Sequence, residues 1–221
     1  MERIIDFHTH NLSGSARRDA IASYSLTEIK DCPPGQYFTV GLHPWDTALF
    51  CSTPQILEKK LRNALLSPYA VGVGEVGLDR LRGGDLRCQE ALLRLQLEIA
   101  VELNLPVVVH CVRAWSELER VFRDVRFCSR KAIHGFRGKA SVLTRLINNG
   151  WYLSLGVRSG ITEAFLAQIP RKRLLLESDD TKEPLTGLYR QVATCMHCSV
   201  EELETLVAEN IRSFFPKIDL R

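Results

Sequence analysis

The 221-residue chain contains no apolar run of the roughly 18 residues that a membrane-spanning helix needs. Its opening leads straight into Arg3-Ile4-Ile5-Asp6, without the basic, apolar and small-residue segments of a secretory signal. It has no Gly/Ser linker, no block of like charge, no low-complexity tract and no internal repeat. One domain over residues 1–221 is therefore expected. Charge of either sign is in small excess only. A net +3 permits an anionic partner without requiring one, because strongly basic nucleic-acid binders carry more. With 45% hydrophobic and 25% charged residues, disordered, collagen-like and coiled-coil classes are excluded.

The seven cysteines are an odd number, at positions 32, 51, 88, 111, 128, 195 and 198. Without a secretory signal they are expected to be reduced thiols of a cytoplasmic protein. Cys195-Met-His197-Cys198 lacks the second ligand pair of a structural zinc site, so an incidental or structural role is expected there.

What the chain does have is an alternation of two patterns. Short β-rich runs occur at 3–7, 20–24, 37–42, 70–75, 106–111, 131–134, 151–156 and 174–178. Most are apolar through their middles, as parallel strands buried on both faces should be. Helical periods lie between most of them. Thr53 is placed to cap a helix that has Pro54 at its first position. Further apolar faces run through Leu57/Leu61/Leu65, Leu92/Leu95/Ile99/Leu103, Trp115/Leu118/Phe122, Val142/Leu143/Leu146 and Ile161/Phe165/Ile169. Ser199 and Glu202 read as a capping box before Leu203, Leu206 and Val207. The fold class expected is α/β, a (β/α)8 TIM barrel. It is compact, since such barrels run to about 250 residues. Its first and second crossovers are abbreviated: Thr9–Asp19 reads as a polar loop, and Leu26–Gln36 has room for one helical turn before Pro33-Pro34-Gly35.

Histidine is scarce, and its placement is informative. Of six histidines, His8, His10, His43, His110 and His134 fall at or just past the end of a predicted strand. In a parallel barrel those ends share one rim. His8 and His10 are two apart, so on an extended strand both face one side and can share a metal ion. Glu75 follows Ala70-Val-Gly-Val-Gly74, where an unpaired carboxylate would be costly to bury. Asp179 follows Leu174-Leu-Leu-Glu-Ser178. Four imidazoles (His8, His10, His110, His134) and two carboxylates (Glu75, Asp179) suffice for two divalent ions.

With these residues in order, the sequence resembles the TatD family of metal-dependent hydrolases, within the wider amidohydrolase-like barrels. The matching segments are Asp6-Phe-His8-Thr-His10, Gly41-Leu-His43-Pro44, Gly74-Glu75-Val-Gly77-Leu-Asp79 and Gln89. They continue as Leu105-Pro106-Val-Val-Val-His110, His134-Gly-Phe136-Arg-Gly138, Leu176-Glu177-Ser-Asp179 and Asn210-Ile-Arg-Ser-Phe214. The resemblance implies one or two divalent ions (Zn, Mn, Fe or Mg) and DNase or phosphodiesterase activity. It implies that His8, His10, Glu75 and Asp179 hold the first ion and that Glu75, His110 and His134 hold the second, with Glu75 shared. It puts His43 beside the metals, against the scissile phosphate. Most departures fall on loops that choose substrates. The segment after the first strand is short, Phe7 stands where a small residue is usual, Asp180-Thr-Lys follows Asp179, and Arg113 lies three residues past His110 rather than two.

The chemistry that follows is hydrolysis by a hydroxide formed from a water whose pKa the ion lowers to about 7. Asp179 is expected to take the proton as general base, with Glu75 and His43 as the other catalytic groups. Arg113, Arg137, Lys139 and Arg158 lie near predicted strand ends and are candidate phosphate ligands or solvated charges. Arg80, Arg82 and Arg87 flank Gly83-Gly84 in a loop that reads either as a basic lip or as a solvated turn. Trp45 reads either as a base-stacking residue or as a plug at the barrel mouth. The leading expectation is a 3′-end exonuclease whose substrate is single-stranded DNA or a DNA 3′ end, with no membrane contact and no obligate protein partner. A metal-dependent deacylase or amidase, D-aminoacyl-tRNA deacylation included, would use the same ligands. A catalytically silent barrel serving as a binding module is the third reading.

Overall fold

The computed structural model describes residues 4–11, 17, 19–27, 29 and 32–219. Eight strands form one sheet in chain order: β1 (Asp6–Thr9), β2 (Ala20–Ser25), β3 (Phe38–Gly41), β4 (Ala70–Asp79), β5 (Val107–Val112), β6 (Lys131–Ile133), β7 (Tyr152–Leu155) and β8 (Leu174–Leu176). The pairing is parallel. Past β8 the chain returns to β1: the Asp179 N–H donates to the His8 carbonyl and the His10 N–H to the Asp179 carbonyl, both at 3.0 Å. The architecture is the expected (β/α)8 barrel. The helices are α1 (Pro54–Ala64), α2 (Leu86–Glu102), α3 (Trp115–Asp124), α4 (Ala140–Asn148), α5 (Glu163–Leu166), α6 (Leu185–Cys195) and α7 (Val200–Phe214). No α-helix joins β1 to β2 or β2 to β3 among the described residues. Of the two abbreviated crossovers, residues 12–16, 18, 28, 30 and 31 lie outside the described set. Among the described residues no helix is long and apolar enough to cross a membrane.

The chain divides into two compact units, Met1–Ala22 with Ala132–Arg221, and Ser23–Lys131. In the first, strand alternation decides what each β1 residue does. Phe7 faces away from its neighbours Asp6 and His8. It packs on Phe214 and Phe215 at ring-centroid distances of 5.3 and 5.4 Å, fully buried. The unusual bulk at position 7 is thus absorbed by the end of α7. The α6 residue Tyr189 donates its hydroxyl to the Ile5 carbonyl at 2.9 Å and anchors the approach to β1. The capping box of α7 forms as expected, Ser199 and Glu202 each bonding the other's backbone N–H.

In the second unit, β4 is buried over its full length and α2 covers it. Two buried glutamines seven apart on α2, hence on one face, reach the loops at the strand ends. Gln96 accepts the Leu42 N–H at 2.7 Å and donates to the Leu42 carbonyl at 3.3 Å, immediately before His43. Gln89 accepts the Asp79 N–H at 2.8 Å and donates to the carbonyls of Asp79, Arg82 and Gly84.

Three local expectations need correction. Thr53 makes no capping bond; α1 begins on Pro54, whose fixed φ sets the first turn by itself. The helix α6 and the 3-10 segments Pro44–Leu49 and Arg171–Arg173 were not expected. The apolar face of α6 (Leu188, Tyr189, Val192, Ala193) has helical spacing, but Gly187 and the Cys-Met-His-Cys sequence interrupt the pattern. Finally, Cys51 and Cys88 form a disulfide with Cα atoms 5.7 Å apart, so the seven cysteines are not all free thiols. Their separation of 37 residues hides the pairing in sequence; the turn after the Pro44–Leu49 helix and the first turn of α2 bring them together. Cys32, Cys111, Cys128, Cys195 and Cys198 are free.

Candidate metal centre

Each unit gathers a set of metal-type ligands on or just past its strands. In the first, His8 from β1, His134 just past β6 and Asp179 just past β8 offer one donor atom each, all within 4.8 Å of one another. The His8 and His134 rings stack at 4.6 Å. Asp179 Oδ1 lies 4.0 Å from His8 Nε2 and 3.7 Å from Nε2 of the half-exposed His10. Asp179 takes a left-handed backbone, φ 55°, which turns its carboxylate toward the histidines while its backbone bonds β1.

Buried acids support this set. Glu177 is completely buried and takes the Gly135 N–H on Oε1 at 2.6 Å, with His134 Nδ1 at 3.4 Å. Burial alone would raise its pKa, but His134, His8 and the nearby Ser154 hydroxyl outweigh that and hold the carboxyl below its ordinary range. Asp6 takes the Ser178 hydroxyl at 2.6 Å and the Ser178 N–H at 3.0 Å, fixing the residue next to Asp179. Burial pushes Asp6 up to about 6 in spite of those bonds.

In the second unit His43, Glu75 and His110 form a comparable set, again within 4.8 Å. Glu75 Oε1 lies 3.1 Å from His43 Nε2 and 2.9 Å from His110 Nδ1. The other nitrogen of His110 faces Asp79 Oδ2 at 3.3 Å. That is the arrangement in which a ligating histidine is oriented by a carboxylate behind it. His43 Nδ1 accepts the Trp45 backbone N–H at 3.2 Å, so in its neutral form the proton is on Nε2, toward Glu75. Asp79 is a shared acceptor. Burial works to raise its pKa, and bonds from the Trp45 indole, the Leu81 N–H and His110 more than reverse this. Gly77 pairs with His110 across β4 and β5, and a methyl group at Gly77 would overlap the His110 carbonyl.

These donor sets fit a divalent ion: mixed imidazole and carboxylate, mostly buried, at spacings that one ion can span. A family model described as TatD related DNase matches residues 8–216. The chain belongs to the TatD family. It is 31% identical over 209 residues to a Pantoea ananatis protein named 3′-5′ ssDNA/RNA exonuclease TatD, covering 80% of this chain and 76% of that one. It is 28% identical over 212 residues to a human protein named deoxyribonuclease TATDN3, covering 86% and 72%. The solved structure of YJJV, a TatD homologue of Escherichia coli, superimposes with a TM-score of 0.77 at 22% identity, covering 97% of this chain and 98% of that one. A TatD family hydrolase structure from Entamoeba histolytica gives 0.79 at 17% identity, covering 97% and 98%. Both show the same fold.

Within the family framework, His8, His10, His43, His134 and Asp179 lie at or just past strand ends, whereas Glu75, expected to end its strand, and His110 lie within β4 and β5, which run on to Asp79 and Val112. His134 joins His8 and Asp179, and His43 lies with Glu75 and His110. Of the arginines, exposed Arg137 and Arg158 line one cleft with Asp179, and Arg158 pairs with Asp180 at 3.0 Å. Arg113, just past β5, is exposed, has φ 53°, and its carbonyl accepts from Arg80. Sequence reasoning gave no role to Asp6, Asp79, Glu177 or Gln96. The signal for two of them is period two: Asp6 stands two residues before His8 on β1 and Asp79 four after Glu75 on β4.

Proposed function

We propose that residues 1–221 act as a single metal-dependent phosphodiesterase domain that hydrolyses nucleic acid from a 3′ end, single-stranded DNA being the leading substrate. The observation that carries this is the pair of His/carboxylate sets at the strand ends of a TatD-family barrel. His8, His134 and Asp179, with His10 beside them, would hold one divalent ion; Glu75 and His110 would hold a second. Such an ion supplies positive charge at the phosphoryl oxygen and a water of lowered pKa. Mixed imidazole and carboxylate ligation suits Zn²⁺, Mn²⁺ or Fe²⁺ better than Mg²⁺.

The chain's own groups do the rest. The Asp179 carboxylate faces two imidazoles and takes the proton of the attacking water. His43, whose Nε2 proton faces Glu75, would turn that proton to a phosphate oxygen or the departing 3′ oxygen when Glu75 is engaged with an ion. Arg137 and Arg158, in the cleft with Asp179, grip the phosphate, and Arg113 serves from the end of β5. A cytoplasmic location and the lack of an obligate protein partner belong to the same proposal.

The test is cleavage of 3′- and 5′-labelled single-stranded DNA and RNA by metal-loaded protein, with Asp179→Asn as control. Asn accepts a left-handed backbone, so the fold is kept while the proton acceptor is lost. Shortening from the 3′ end, abolished in the variant, is expected. Turnover of esters or amides with no phosphodiester cleavage would overturn the proposal.

A further inference from the structure

Arg82 holds its guanidinium carbon 3.7 Å from the centre of the Trp45 ring, at stacking distance. Trp45 is 42% exposed, unusually open for a large aromatic, and Arg82 is exposed as well. The edge of the indole, by contrast, is fixed. Its Nε1–H donates to Asp79 Oδ2 at 2.7 Å, and its ring meets His43 edge-on at 4.6 Å. The loop that carries Arg82 is held by the same carboxylate, Asp79 Oδ1 taking the N–H groups of Leu81 at 2.8 Å and Arg82 at 3.1 Å. Gln89 bonds the Arg82 carbonyl from behind.

The two arginines of this loop differ. Arg80 is occupied by the Glu117 carboxylate and the Arg113 carbonyl. Arg82 has no carboxylate partner among the described residues. A planar cation backed by an aromatic face, with its charge uncommitted, suits a ligand that is itself flat, π-rich and attached to an anion. A nucleobase with its phosphate has that chemistry. Trp45 is two residues from His43, which sets this surface next to the reacting phosphate.

We infer that Trp45 and Arg82 form a nucleobase subsite beside the metal centre. A base of the substrate stacks on the outer plane of the Arg82 guanidinium while the guanidinium edge reaches the backbone phosphate. Asp79 is the positioning residue that holds both partners and His110 together. This inference rests on the phosphodiesterase reading and specifies where that substrate lies.

The experiment compares binding of two fluorescein-labelled strands of equal length, oligothymidylate and an abasic oligonucleotide, to full-length protein in chelator. The wild type is expected to bind oligothymidylate about tenfold or more tightly than the abasic strand. Trp45→Leu should bring that ratio close to one. Arg82→Lys keeps the charge and removes the plane, and it should lower the ratio while keeping the salt dependence. Trp45→Phe, which retains a stacking face, should retain most of the ratio. A ratio unchanged in Trp45→Leu and Arg82→Lys overturns the subsite but leaves the phosphodiesterase reading standing if metal-loaded wild type still cleaves. Wild-type protein that neither binds nor cleaves either strand overturns both.

Discussion

Glu177 lies behind His134, its carboxylate fully buried and 3.4 Å from Nδ1, with the Gly135 N–H tying it to the same turn. A carboxylate placed behind a histidine sets the ring's tautomer and its donor strength, and losing such a partner costs about 10–100-fold in metal affinity. Glu177→Gln keeps the shape and removes the charge. It is expected to weaken metal binding by that factor with little change in secondary structure, as read by calorimetric titration and circular dichroism. An unchanged dissociation constant would show that Glu177 serves packing alone.

Metal should stabilise the fold, because each set joins segments distant in sequence. At a concentration 100 times its dissociation constant, an ion that binds only the native state adds about 2.7 kcal/mol. For a chain of this size that raises Tm by roughly 5–10 °C. Thermal melts in chelator and in excess Zn²⁺ or Mn²⁺ measure it, and Asp179→Asn should show a reduced shift. Identical melts would count against ion binding at these residues.

Gly77→Ala should be severely destabilising. The glycine has φ 150°, and its added methyl group would meet the backbone of His110 rather than a side chain that could swing away. A loss of at least about 3 kcal/mol is expected, through strained backbone and a displaced neighbouring strand. Urea denaturation gives the stability, and hydrolysis should fall with it because His110 moves. A near wild-type midpoint would mean that β5 yields without cost.

Thiol counting tests the cysteine arrangement. Protein unfolded without reductant should titrate five thiols, and seven after reduction. In the native state Cys111 should react last, because burial pushes its thiol up to about 12. Seven thiols before reduction would remove the Cys51–Cys88 bond.

Much of this molecule was legible in sequence because a parallel barrel buries its strands on both faces. The runs at 70–75 and 106–111 stand out as apolar, and polar residues at their ends stand out as exceptions. His8, Glu75, His110, His134 and Asp179 are singled out in that way. What was not legible depends on contacts far apart in sequence. Nothing local shows that Gln96 grips the residue before His43, that Cys51 meets Cys88, or that His134 stacks on His8. Phe7 looked like a departure until Phe214 and Phe215 supplied the space it fills. Trp45 was open to two readings because its partner Arg82 is set by a loop whose shape depends on Asp79 and Gln89.

The seam between β1 and the end of β8 has a consequence for synthesis. His8 and Asp179 bond each other's backbones there, and both belong to the same ligand set. A nascent chain therefore cannot complete that set until most of its length has left the ribosome and the ring has closed. If Asp179 takes the proton of the attacking water, as proposed, a nuclease still being made on the RNA-built ribosome lacks its base. Closure at Asp179 is thus a precondition of the chemistry as well as of the ring.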